Sequence, residues 1–189
     1  LWGLITLDSM KYNIPAGSSY TRTEMIKKIL SFQLPDDGFN LRFAQGSTAD
    51  SDITAMAIQA LAPYYRNSTF NVKDPVDKAL DCLSKLQLDT GDFRSWGTRN
   101  SESVSQIIVS LCSIGVDPQN DSRFIKNGIN LLDALFYYQQ EDGGFAHSYE
   151  SDPGNPSAIP GESNSIATDQ ALLALVAVWR QAQGMSILY

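Results

Sequence analysis

Two acids two places apart, Asp50 and Asp52, stand just before the apolar run Ile53-Thr54-Ala55-Met56-Ala57-Ile58. A carboxyl group kept protonated in a dry pocket can act as a Brønsted acid, provided its anion has partners. The same two acids can instead cap a helix, because free N–H groups and the helix dipole favour a carboxylate there. The other reactive side chains are sparse. Cys82 and Cys112 are the only cysteines. Neither has metal-ligand spacing, and both sit in apolar helical patterns, so they read as buried reduced thiols. The single histidine, His147, follows Gly143-Gly144-Phe145 and reads as a surface loop residue. The serines of residues 101–105 have no histidine near them, and Gly-x-Ser-x-Gly is absent. Gly143-Gly144 is half of a nucleotide loop, too little to use. No metal site or cofactor is expected. Trp96, in Ser95-Trp96-Gly97, and Tyr64, beside Tyr65, are candidates to stack on a ligand, although aromatics of this kind more often pack between helices. Glu102, at the head of another apolar run, joins them as a binding candidate.

The elements that must position these residues repeat. Gln33, Gln87 and Gln139 are spaced by 54 and 52 residues, and each has a phenylalanine six places on: Phe39, Phe93 and Phe145. A fixed period of this size marks a repeat architecture. Each glutamine ends an amphipathic stretch. The stretch over residues 18–33 carries Met25, Ile26, Ile29 and Leu30, with Thr21 and Glu24 spaced as a capping box. That over 74–87 opens on Asp74-Pro75, a cap before a first-turn proline. The third is expected to be one helix over 121–140. Each Gln…Phe loop is followed by a helix apolar nearly all round, over 52–65, 102–114 and 164–183, which must be covered by neighbours. Residues 1–10 share that character. The expectation is seven helices in the order inner, outer, inner, outer, inner, outer, inner. Residues 144–161, rich in Ser, Pro, Gly and Asn, are expected to form an exposed loop.

The loops resemble the QW motif of squalene and terpenoid cyclases: an apolar residue, three residues, Gln, three residues, Gly, any residue, Trp. Leu83, Gln87, Gly91 and Phe93 match it, as do Leu135, Gln139, Gly143 and Phe145, with Phe in place of Trp. Ile29, Gln33, Asp37 and Phe39 match it less closely. This variant resembles the wider prenyltransferase and squalene-oxidase repeat superfamily. That group includes protein prenyltransferase β-subunits, the cobalamin carriers related to intrinsic factor and transcobalamin, and bacterial surface proteins, to which Asp50-Ser51-Asp52-Ile53-Thr54-Ala55-Met56 and Gln59-Ala60-Leu61-Ala62-Pro63 are most similar. The resemblance implies an all-α fold, an α/α toroid of six hairpins with inner helices round a cavity. Residues 1–189 supply about three and a half hairpins, a single toroid segment and part of a longer protein. In the motif, the glutamine amide is expected to join its own loop to the next helix, the glycine to allow a left-handed turn, and the phenylalanine to fill the space between hairpins.

The resemblance also frames the chemistry. Acid-initiated cyclases protonate their substrate with the middle acid of Asp-x-Asp-Asp, which corresponds to Asp52; Ile53 replaces the third acid. Glu102 and Asn164 occupy similar places in the other repeats, which favours capping. Prenyltransferase chemistry requires zinc held by Asp, Cys and His, and Asp81-Cys82 with a remote His147 cannot assemble that set. The cobalamin carriers hold their ligand against a β-rich domain that has no counterpart here. The reading is a non-catalytic binding or scaffolding domain of a bacterial extracellular or cell-surface protein, taking a small ligand or a protein partner. The alternative is a terpenoid cyclase with Asp52 as general acid. A net charge of −7 without a basic cluster argues against nucleic acid. No apolar run approaches a membrane span. The unfinished ends of the arc, residues 1–10 and 172–179, are expected to expose apolar surface and to favour self-association.

Overall fold

The computed structural model describes residues 1–188. It contains seven α-helices in the expected alternation: α1 (Trp2–Ser9), α2 (Arg22–Leu30), α3 (Ser51–Leu61), α4 (Lys73–Leu86), α5 (Ser101–Ile114), α6 (Leu131–Phe136) and α7 (Ser165–Ala182). The only sheet among the described residues is a hairpin of two short strands, β1 (Arg94–Ser95) and β2 (Thr98–Arg99). The inner helices α1, α3, α5 and α7 pack side by side, and α5 is buried along almost its whole length. This accounts for its lack of a polar face. Glutamines tie the inner helices together: Gln59 Nε2 donates to Gln106 Oε1 (2.8 Å), and Gln106 Nε2 donates to Gln170 Oε1 (2.9 Å).

Caps set where the helices begin. Thr21 and Glu24 form the expected capping box on α2. Asp50, Asn100 and Asn164 cap the inner helices α3, α5 and α7, accepting from Ile53 N, from Ser103 N, and from Ile166 N and Ala167 N. Helix α4 departs from expectation. Its first residue is Lys73, and Asp74 lies inside the first turn rather than at the cap.

The third outer segment is not one helix. Residues 122–124 form a single 3-10 turn, and α6 begins only at Leu131. Between them Asn127 and Gly128 take left-handed conformations (φ 52° and 82°) and close a tight turn in which Lys126 and Ile129 pair. An Asn-Gly pair with both φ values positive ends a helix and makes a hairpin turn. Asn130 then restarts the helix by accepting from Leu132 N and Asp133 N.

The repeat motif works mechanically. Phe39, Phe93 and Phe145 are all buried. Gly91 and Gly143 supply the left-handed turn (φ 82° and 87°), and Asp37 adopts the same conformation in the first copy. Gln33 Nε2 donates to its own loop at Asp37 O (2.7 Å) and to the next outer helix at Pro75 O (2.8 Å). Gln87 Nε2 repeats this with Gly91 O (2.8 Å) and Phe124 O (3.1 Å). The amide nitrogen thus makes both joins, and no donor among the described residues reaches the buried Gln87 Oε1. Gln139 differs: its side chain is exposed and makes no bond among the described residues, where no outer helix follows α7. The two glutamines should therefore respond differently to truncation. Gln87→Ala strands two buried carbonyls and should cost about 1–3 kcal/mol, whereas Gln139→Ala should cost under about 0.5 kcal/mol. Paired urea titrations test this, and equal losses would remove the glutamine from its joining role.

Candidate functional site

The N-terminal ends of α3 and α5 bring together the polar residues picked out from the sequence. Asp50 is buried. Its Oδ1 accepts from Ile53 N (3.0 Å) and its Oδ2 from Ser95 Oγ (2.8 Å), so it is a cap. Asp52 lies half-buried one residue inside the helix. Burial pushes its carboxyl up to about 6; the neighbouring Ser103, Ser51 and Ser95 work against this shift, and the Asp50 charge adds to it. Ser51 Oγ lies 3.2 Å from Asp52 Oδ1 and 3.1 Å from Arg94 O, two acceptors for its one proton, while the Ser95 hydroxyl donates to Asp50 and the Ser103 hydroxyl to Asn100 Oδ1. Asp52 therefore sits in a polar environment, with the Ser51 hydroxyl as its one hydrogen-bond neighbour among these serines.

Glu102 occupies the same place in α5 that Asp52 has in α3, two residues after the cap. It is not a cap. Its carboxylate receives His147: Nδ1 lies 2.8 and 2.9 Å from the two Glu102 oxygens, and Nε2 lies 3.0 Å from Asp152 Oδ2. His147 is thus no surface residue; only 8% of it is exposed. Burial works against its charge, but the hydrogen bonds and charges of Glu102 and then Asp152 outweigh it and raise its pKa. Both ring nitrogens face carboxylate oxygens, an arrangement that favours the doubly protonated ring. The loop over 144–161 is correspondingly anchored: Phe145 to Ser148 are buried, and Ser101 donates to it through N to His147 O and through Oγ to Ala146 O.

The aromatic candidates do not meet. Trp96 caps the β1–β2 turn in a left-handed conformation (φ 52°), is 61% exposed, and has the Arg42 guanidinium 5.6 Å from its ring. It does not pack between hairpins. Tyr64 lies beyond the other end of α3, buried, with its hydroxyl donating to Asp8 Oδ2 (2.7 Å). Asp8 also accepts from Arg22 Nε, so Tyr64 belongs to the packing of α1, α2 and α3. Cys82 and Cys112 are buried free thiols, pushed up by burial to about 11 and about 12, which leaves them unreactive at neutral pH. Among the described residues no group of three or more His, Cys, Asp or Glu is arranged to hold a metal ion, and no helix is long and apolar enough to cross a membrane.

Alternating apolar inner and amphipathic outer helices, joined by repeated Gln…Phe loops and carrying acids at the N-termini of α3 and α5, define an α/α toroid-type repeat domain of the terpenoid-cyclase-like class. The chain belongs to the squalene-hopene cyclase C-terminal domain family, whose model matches residues 29–186. Comparison with the curated proteins finds no match.

Proposed function

We propose that this chain is a non-catalytic binding or scaffolding segment of an α/α toroid, carried by a bacterial extracellular or cell-envelope protein. The observation that carries the reading is the polar environment of Asp52, with the Ser51 hydroxyl 3.2 Å from its carboxylate and Asp50 as a second acid beside it. Protonating an alkene demands a strong acid against an apolar wall, and the cation that forms must meet no nucleophile. Asp52 instead has the Ser51 hydroxyl 3.2 Å away and a second carboxylate, Asp50, nearby, nucleophiles that would trap a carbocation. Its carboxyl, pushed up to about 6, stays mainly ionised at neutral pH. The compartment rests on the likeness of the repeats to those of bacterial surface proteins. Partner contact is supported by the exposed apolar residues of α7, where Leu172 and Trp179, 59% and 57% exposed, share one face and Ile166 lies on another, and by Trp2 on α1. Surfaces of this kind mark interfaces with further repeats or a second copy.

The second reading, an acid-initiated cyclase with Asp52 as general acid, is favoured by the family and by the raised Asp52 pKa. Incubating the protein with squalene and analysing the extract by gas chromatography and mass spectrometry separates the two. No cyclic product is expected. A cyclic product that disappears in Asp52→Asn would establish the second reading and end the first. Light scattering of the same preparation reads partner contact; a strict monomer at high concentration would count against self-association.

A further inference from the structure

We propose that the cleft at the C-terminal ends of α3, α5 and α7 binds a small organic carboxylate with an apolar tail. The cleft lies at the opposite end of the inner helices from Asp52 and does not depend on the role given to that acid. Its volume is about 550 Å³, within the usual range for small-molecule sites. Pro63, Val109, Ile114 and Ala177 supply apolar walls from three helices or the turns after them. The segment after α7 folds back over it, fixed by Arg180, whose Nε donates to Ser186 O (2.9 Å) and whose Nη2 donates to Ser186 Oγ (2.7 Å).

The charge pattern selects the ligand. The chain holds 21 acids against 14 lysines and arginines. Arg22, Arg94, Arg99 and Arg123 each pair with a carboxylate, and Arg42 lies against Trp96. The two remaining arginines, Arg66 and Arg180, both line this cleft, and among the described residues neither has a carboxylate within ion-pair distance. A cation at a helix C-terminus ordinarily satisfies the last carbonyls. Arg66 donates to none among the described residues, and the end of α5 is already closed by Gly115 N to Cys112 O (3.1 Å) and Val116 N to Leu111 O (2.9 Å). Gly115 leaves space for the guanidinium: a side chain there would begin 3.1 Å from Arg66 Nη2. Asp117, whose charge is felt at Cys112, is held by Gln119 N and Asn120 Nδ2. A free guanidinium fork matches a carboxylate, and the apolar walls suit a hydrocarbon tail. One free fork beside a second already engaged balances a single charge, and the acidic surface disfavours a polyanion.

Titration calorimetry of the full chain with octanoate and with 1-octanol tests this. Octanoate should bind saturably at one site, with 1-octanol weaker by about tenfold or more. Arg66→Gln, an exposed change, should weaken octanoate by about tenfold while leaving the melting temperature unchanged; Arg66→Lys should fall between, because it keeps charge without the fork. No saturable binding, equal affinity for the alcohol, or an Arg66→Gln protein that binds as wild type would each overturn the proposal.

Discussion

Replacing His147 with alanine should destabilise the domain by about 3 kcal/mol or more, the cost of breaking a buried charge group by removing one member. The imidazolium lies between Glu102 and Asp152, and without it two carboxylates remain in a largely dry space. The loss should be partly reversed by adding Glu102→Gln and Asp152→Asn, which remove the orphaned charges. The same group makes stability depend on pH. The folded pKa of His147 is raised above its ordinary 6.5. Its contribution is therefore complete below about pH 6.5 and is lost as pH rises through the folded value. Asp152 acts in the opposite sense. Burial raises its pKa, but hydrogen bonds from Gly154 N, His147 and Thr98 hold it below its ordinary 3.8. Its contribution is present above that value and lost as pH falls through the lowered one. The pair thus favours a stability maximum between about pH 4 and 6.5, with a decline on the alkaline side that His147→Ala should abolish. Urea midpoints across that range read the effect, and an alkaline decline of equal size in the variant would show that His147 is not its source.

What the sequence displays depends on how far apart the cooperating residues lie. The Gln…Phe loops and the caps at Thr21 and Asn164 are local patterns, written within a few residues of where they act, and they lead directly to the seven helices. The Asn127-Gly128 turn was equally local, but an apolar stripe continuous through Phe124, Ile125, Ile129 and Leu132 concealed it. Periodicity in composition does not exclude a left-handed pair that interrupts the helix. Trp96-Gly97 is a second turn of this kind, and it turned an expected packing residue outward. His147 was beyond reach for a different reason. Its partner Glu102 is 45 residues away, and nothing near either residue announces the other. The exposed Gln139 follows the same logic: burial of that glutamine requires the next outer helix, which the motif itself cannot supply.

The largest structural effect is expected at a place the repeat motif treats as free. Asp92, between Gly91 and Phe93, is 1% exposed. Its Oδ2 accepts from Arg99 Nε (2.9 Å), Arg99 Nη2 (2.6 Å) and Tyr138 Oη (2.8 Å), and its Oδ1 accepts from Thr90 Oγ1 (2.6 Å). Removing it leaves a guanidinium and a buried phenol without their acceptor. Asp92→Ala should cost about 3–5 kcal/mol. The other repeats show how this position is otherwise solved. Counting back from the motif phenylalanine, Asp92 corresponds to Gly38 and Gly144; counting back from the inner-helix cap, Arg99 corresponds to Ala49 and Ser163. These pairs also touch: a side chain at Gly38 would begin 2.3 Å from Ala49 Cβ, and one at Gly144 2.5 Å from Ser163 Oγ. Two copies therefore join loop to helix by close approach of small residues, and the middle copy does so with an ion pair. Tyr138, which precedes Gln139, corresponds to Phe32 and Leu86, so its hydroxyl is specific to the charged solution. The triple variant Asp92→Gly, Arg99→Ala, Tyr138→Phe converts the middle copy to the Gly–Ala form of the first, leaving only the hydroxyl of the exposed Thr90 without its carboxylate. It should recover at least half of the stability lost in Asp92→Ala, by the rule that an ion pair costs far more to break than to replace. Chemical denaturation of wild type, single and triple variants decides the matter: a triple variant no more stable than the single one would mean that the two joints are not interchangeable and that the repeats have diverged in backbone as well as in side chain.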